Sequence, residues 1–276
     1  MNADSRSAHT VLDVRNLDVT FLVNRREVPI LRDVSFDLST QQTLGIVGES
    51  GSGKSVTALS ILKLIPSPPL HGMTGKVLFR GSDLMSLPAR ELRTVRGAGI
   101  SFIFQEPMTA LNPVLTIGRQ ISETMLAHKR ISKKEAGERT IELLKEVGMP
   151  DPQLRARSYP HELSGGMRQR AMTAMALSCD PSVLIADEPT TALDVTIQAQ
   201  VLELFKKLKD ERRMSIVFIT HDLGVIAEIA DQVLVMQEGA VVEYGPVEDI
   251  FHSPSHPYTR KLLGFLTGRS RRHAAS

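Results

Sequence analysis

Eight consecutive residues, Gly48-Glu49-Ser50-Gly51-Ser52-Gly53-Lys54-Ser55, follow the pattern G-x-x-x-x-G-K-S. That pattern handles phosphate. Glycines lack a Cβ, so the backbone can curl tightly and turn its N–H groups toward phosphate oxygens. Lys54 would reach the β- and γ-phosphates, and the Ser55 hydroxyl would take one position on Mg²⁺. Water and phosphate oxygens would fill most of the remaining octahedron. Val56, directly behind, is counted with the binding stretch. The flanks are those the chemistry needs. Thr43–Val47 is a short apolar run, as in a buried parallel strand, and Val56–Ile65 is apolar at helical spacing and stopped by Pro66. A helix N-terminus adds partial positive charge beneath an anion. A Gly/Ser-rich turn would share the composition but would not require both flanks.

Other residues suit the same chemistry, each with a plainer alternative. Ser182–Ala186 reads as a buried strand ending in the acids Asp187 and Glu188. Asp187 would hold Mg²⁺ and Glu188 would orient or deprotonate an attacking water; an acidic pair there is otherwise a turn or a helix start. Gln105 ends the apolar run Gly99–Phe104 and could meet a metal ion or a water, or be a solvated loop residue. Ser164-Gly165-Gly166 opens a helix over Met167–Cys179 and offers a hydroxyl and unobstructed N–H groups; alone it is only a helix start. His221 follows the strand Met214–Thr220 and could donate to a γ-phosphate, or stand beside an Asp222 cap. Phe21 could stack on adenine; alone it reads as a core phenylalanine.

Composition narrows the class. The 276 residues suffice for one large α/β domain or a domain with a smaller insertion. Lys+Arg is 33 against Asp+Glu 31, a net charge of +2, which argues against a nucleic-acid binder. Cys179 is the single cysteine, so neither an internal disulfide nor a cysteine cluster is expected. That and a polar start without a signal-like apolar core point to the cytoplasm. No run of about 18 apolar residues occurs, so a membrane role would come through a partner.

The remaining elements position these groups. Val11–Leu22 and Val28–Leu38 alternate as strands and predict a small antiparallel sheet on the flank. Pro66–Gly72 reads as a loop, Lys76–Arg80 as a strand, Gly81-Ser82-Asp83 as a turn and Pro88–Val95 as a short helix. Thr116–Gly148 is helical, with Ser132–Glu135 as a capping box, and interrupts the α/β pattern as an inserted subdomain. His128-Lys129-Arg130 with Lys133-Lys134 reads as a solvated basic face. Thr196–Lys209 is helical, Asp231–Met236 and Ala240–Tyr244 form a closing β pair, and Val247–Phe251 and Arg260–Leu266 are short helices. The tail from Gly268 is expected to fray.

Gly48–Ser55, Gln105, Leu163–Gly166, Asp187-Glu188, Asp194 and His221, in that order, resemble the ATP-binding subunit of ABC transporters over about residues 11–250. The resemblance implies an α/β P-loop NTPase, a RecA-like core with an antiparallel β subdomain and an inserted helical subdomain over about 107–178. Residues 1–10 would be a flexible N-terminus and 251–276 a short extension. It makes Leu163–Gly166 the signature motif, Gln105 the Q-loop glutamine and a metal neighbour, His221 the switch histidine, Asp194 the D-loop aspartate and Phe21 the adenine-stacking aromatic. The stretches Gln105–Pro113, Leu163–Arg170 and His256-Pro257-Tyr258-Thr259 look like the peptide/nickel importer group, the oligopeptide and dipeptide permeases. Many members continue into a cysteine-rich segment; none stands before Ser276 here, so no cluster is expected.

What the resemblance implies is an ATPase using ATP and Mg²⁺ at the cytoplasmic face of the inner membrane. Two subunits would pair head to tail, each ATP held by the loop of one and the Ser-Gly-Gly of the other. A second, different ATP-binding subunit is favoured over a homodimer. Two membrane-spanning permeases and a periplasmic or extracellular solute-binding protein complete the assembly, with the helical insert and the Gln105–Pro113 loop as the docking surface. Di- or oligopeptides are the expected cargo; nickel, glutathione or an opine-like solute would use the same ATPase. A non-transport ABC ATPase of DNA repair or translation would carry long insertions or a second ATPase unit, absent here. A regulator that does not hydrolyse is opposed by Glu188 and His221.

Overall fold

A computed structural model describes residues 9–105, 110–191 and 194–264. The expected tails at 1–8 and from 268, the end of the Arg260–Leu266 helix, Glu106–Thr109 and Ala192-Leu193 lie outside the described residues. The chain divides into two units, the described residues up to Pro88 and from Ser215 onward, and Ala89–Met214.

In the first unit β1 (Thr10–Val23) and β2 (Arg26–Ser39) pair antiparallel, with Phe21 opposite Val28. Their inward residues, among them Leu12, Val14, Leu17, Val19, Leu31, Val34 and Leu38, are buried. The alternation changes phase between Val14 and Leu17, where the register shifts and Asn16 takes a φ of 47°. Asn16 is held there by its N–H on Ser35 Oγ at 2.8 Å and its side-chain amide on Asp33 at 2.6 Å. Next come β3 (Thr43–Val47), buried throughout, and α1 (Lys54–Ile61). The helix stops before the predicted Ile65, because Lys63 turns left-handed at φ 51° and anchors its ammonium on Met85 O at 3.0 Å.

The predicted 66–72 loop is shorter than its Pro/Gly content suggested. Strand β4 (Leu70–Phe79) takes in its last three residues, pairing Leu70 with Phe21 and Gly72 with Thr20. A ladder to a distant strand overrides local punctuation. Ser82 and Asp83 form β5, giving the order β2-β1-β4-β5.

In the second unit, α2 (Ala89–Val95) precedes β6 (Ile100–Ile103). Helices α3 (Ile117–His128) and α4 (Lys133–Glu146) follow, capped by Thr116 and Ser132. A short α5 (Pro152–Arg155) and a 3₁₀ turn (Pro160–Glu162) lead to α6 (Gly165–Leu177). Strand β7 (Val183–Asp187) pairs in parallel with β6, and α7 (Val195–Arg212) ends the unit. Lys129 departs from the expected solvated face: its ammonium lies 2.6 Å from Asp180 Oδ2, and Asp180 also takes Arg212 at 2.7 Å. Arg212 in turn grips Glu146 at 2.6 Å.

The chain then returns to the first unit through β8 (Ser215–Ile219), α8 (Leu223–Ile229), β9 (Gln232–Gln237), β10 (Ala240–Pro246) and α9 (Val247–His252). β3 runs parallel to both β8 and β9, and β10 closes antiparallel on β9. Residues 257–264 are helical.

Candidate functional site

The first unit presents the phosphate loop at the carboxyl edge of β3. Lys54 is 5% exposed, and its ammonium donates to the carbonyls of Gly48 at 2.8 Å and Glu49 at 2.9 Å, curling the loop around its own cation. Two glycines have no substitute here. Gly53 stands at φ 103°, where a Cβ would lie 2.7 Å from Leu31 Cδ2, and a Cβ on Gly48 would lie 2.3 Å from Met236 O. Ser52 Oγ is buried with no hydrogen-bond partner among the described residues. A buried hydroxyl in a cationic cradle at a helix start suits a phosphate oxygen, so the loop fits a nucleoside triphosphate.

β8 ends beside β3. Ile46 pairs with Ile219, and Thr220 N–H donates to Ile46 O at 3.3 Å. His221, exposed, therefore lies at the same sheet edge as the phosphate loop. The cap half of its plainer reading also holds: Asp222 Oδ1 accepts from Gly224 N at 2.8 Å and starts α8. Phe21 is half-buried on β1, not in the core, next to the exposed Leu22, Val23 and Val28.

The second unit gathers its predicted residues at the end of its parallel strands. Ile103 pairs with Ala186, so Gln105 and the acids leave the sheet at one edge. Asp187 is 4% exposed. Glu188 takes a φ of 47°, a conformation that costs a non-glycine residue about 1–2 kcal/mol and turns its side chain out of the strand path. Gln105 Nε2 donates to Glu188 Oε2 at 3.3 Å, and the Thr191 hydroxyl donates to the same oxygen at 2.7 Å. A carboxylate clamped by two neutral donors has a defined direction, as a base acting on one water requires.

Ser164 caps α6 by accepting from Met167 N at 3.4 Å, and the helix begins at Gly165, before the predicted Met167. Asp194 caps α7 by accepting from Ile197 N at 2.9 Å. These two helix starts adjoin, since a Cβ on Gly166 would lie 3.2 Å from Ile197 Cγ2.

Two residues escaped the sequence. Thr191 belongs to none of the motifs above, and nothing in its residue type or spacing singles out its hydroxyl. Tyr258 accepts the Glu49 N–H at 3.0 Å across 209 positions, and no spacing signals such a pair.

A glycine loop on a parallel strand, a buried lysine at its helix start and an acid pair closing another parallel strand define a P-loop nucleoside triphosphatase. The family model described as ABC transporter matches residues 31–191, and one described as oligopeptide/dipeptide transporter, C-terminal region, matches residues 242–267. The chain belongs to the ABC transporter family of ATPases. It is 54% identical over 254 residues to the dipeptide transport ATP-binding protein DppD of Bacillus subtilis (strain 168), covering 92% of this chain and 76% of that protein. It is 54% identical over 256 residues to the oligopeptide transport ATP-binding protein OppD of the same strain, covering 93% and 72%. Among solved structures, the dimeric post-hydrolysis state of the ATP-binding cassette MJ0796 bound to ADP and Pi superposes with a TM-score of 0.76 at 27% identity, covering 86% of this chain and 98% of that one. The predicted P-loop NTPase fold with its antiparallel β sheet and inserted helices is borne out. Among the described residues no helix is long and apolar enough to cross a membrane.

Proposed function

We propose that this chain is the ATP-hydrolysing subunit of a membrane importer for di- or oligopeptides. The observation that carries the cargo class is the match of residues 242–267 to the C-terminal region of oligopeptide/dipeptide transporters. The ATPase domain spans about 11–250, its helical subdomain about 107–178, and 251–276 is an extension.

In this reading Gly48–Val56 wraps the triphosphate, with Lys54 neutralising the β- and γ-phosphates and Phe21 stacking on adenine. The Ser55 hydroxyl, the Asp187 carboxylate and the Gln105 amide each offer a hard oxygen ligand of the kind Mg²⁺ takes. When bound, the ion neutralises charge developing on the phosphoryl oxygens. Glu188 takes the proton of the attacking water, and His221 donates to the γ-phosphate. Ser164, Gly165 and Gly166 receive the triphosphate of a partner subunit, with Asp194 at the same face. This explains two anion-ready helix starts in one chain: each serves a different nucleotide. ATP closes the pair because both surfaces share its γ-phosphate, and hydrolysis removes that bridge.

The partners are a second, different ATP-binding subunit, two membrane-spanning permeases and a solute-binding protein. The chain itself sits peripherally on the cytoplasmic face of the inner membrane. Purification from gently solubilised native membranes tests this. Two multi-spanning proteins and a second ATPase should co-purify with it. If no membrane protein accompanies the chain, even when Glu188→Gln traps ATP, the transport role fails.

A further inference from the structure

The far end of the chain holds the phosphate loop. Glu49 N–H donates to the Tyr258 hydroxyl at 3.0 Å, and Tyr258 is only 8% exposed. A loop N–H has no ladder partner, and here a part-buried side-chain hydroxyl supplies one. Here the partner is a side chain from the helix over residues 257–264. That helix is itself firmly seated. The Glu243 carboxylate on β10 accepts from Ser255 N at 2.6 Å, Ser255 Oγ at 2.8 Å and His256 N at 3.1 Å. His256 Nδ1 accepts from Tyr258 N at 3.2 Å, capping the first turn. Arg260 folds back onto the carbonyls of Pro254 at 3.0 Å and Ser255 at 2.8 Å. Beside the tyrosine a cleft of about 100 Å³, lined by Glu49, Ser52, Gln237 and Glu238 among others, leaves the loop room to shift once the bond is cut. Burial pushes the Tyr258 hydroxyl up, which keeps it a neutral phenol at cellular pH.

We propose that Tyr258 is a positioning residue for the phosphate loop: its hydroxyl sets the backbone at Glu49, and residues 254–264 thereby respond to whether the loop holds a nucleoside triphosphate. This rests on the reading of that loop as the ATP site. Ordering is reciprocal: if the tyrosine steadies the loop for ATP, ATP must steady the helix that carries the tyrosine. The device links the C-terminal segment, with its importer-type sequence, to the phosphate loop through the backbone at Glu49.

The test combines titration of a fluorescent ATP analogue with amide hydrogen exchange on the full-length chain and on Tyr258→Phe, which keeps the ring. The variant should bind the analogue roughly twofold to tenfold more weakly, the scale of one part-buried hydrogen bond. Turnover per bound nucleotide should change by less than about twofold, a split that general unfolding would not produce. ATP should slow exchange in peptides covering 257–264 in the wild-type chain and not in the variant. Glu243→Gln, which loosens the segment without touching the loop, should shift affinity the same way, and it decides the matter if Tyr258→Phe does not fold. Equal affinities, with exchange at 257–264 unmoved by ATP, overturn the role of Tyr258 alone. A wild-type chain that binds no analogue overturns the reading of the loop and this proposal with it.

Discussion

The side-chain amide of Gln105 donates to the carboxylate of Glu188 at 3.3 Å, joining residues 83 positions apart at the ends of two parallel strands. The longer bond is to Gln105 and the shorter, 2.7 Å, to Thr191 on the same oxygen. Glu188 Oε2 is thus held by two neutral donors at once. Glu188→Gln should lower steady-state ATPase turnover by roughly 10²–10⁴ while ATP binding is kept. Full hydrolysis by that variant, measured as phosphate release, would remove Glu188 as the base. Thr191→Val, which deletes only the aiming bond, should cost roughly threefold to thirtyfold in kcat with KM little changed.

Lys54 is buried in the hollow of its own loop, bonded to two carbonyls that a triphosphate would outcompete as ligands of its charge. Lys54→Ala should weaken ATP affinity by roughly tenfold to a hundredfold, the scale of one charge-assisted hydrogen bond. Equilibrium titration checks this, and an unchanged affinity would exclude the lysine as a phosphate ligand.

Gly53 combines a left-handed φ with a Leu31 methyl group where its Cβ would go. Gly53→Ala should lower stability by about 1–3 kcal/mol, read from the midpoint of urea unfolding.

Asp180 gives a pH-dependent signature. Burial opposes its ionisation most, but the ammonium of Lys129 and the guanidinium groups of Arg212 and Arg139 together outweigh it and hold the carboxyl below the usual range. A depressed folded-state pKa contributes stability above the unfolded value, about 3.9, that is lost as pH falls through the folded value. Asp180→Asn should therefore be less stable than the wild type at pH 5–7, with the gap closing below about pH 4. The side chain is 55% exposed, so solvent screening keeps the gap near or below about 1 kcal/mol. Denaturant titrations at three pH values check it, and a gap that widens in acid would contradict the assignment.

The sequence alone determined the chemistry and much of the core. A glycine loop, an acid pair at a strand end and strands such as Thr43–Val47 carry their signal within a few residues, since backbone geometry and burial period are local properties. What it could not determine was which neighbours complete each group. β4 starts at Leu70 because β1 offers a ladder there, not because of any residue in the loop. Phe21 reads as a core side chain by its strand pattern, yet the sheet face it lands on leaves it half-buried. Lys129 looks like one charge of a solvated run and is committed to Asp180 across 51 positions. Thr191 on Glu188 and Tyr258 on Glu49 are hydrogen bonds between groups whose types are common and whose meeting depends on the path of the whole chain. Distances of 2.7 and 3.0 Å are set by packing between elements, and no period or propensity within one element encodes them.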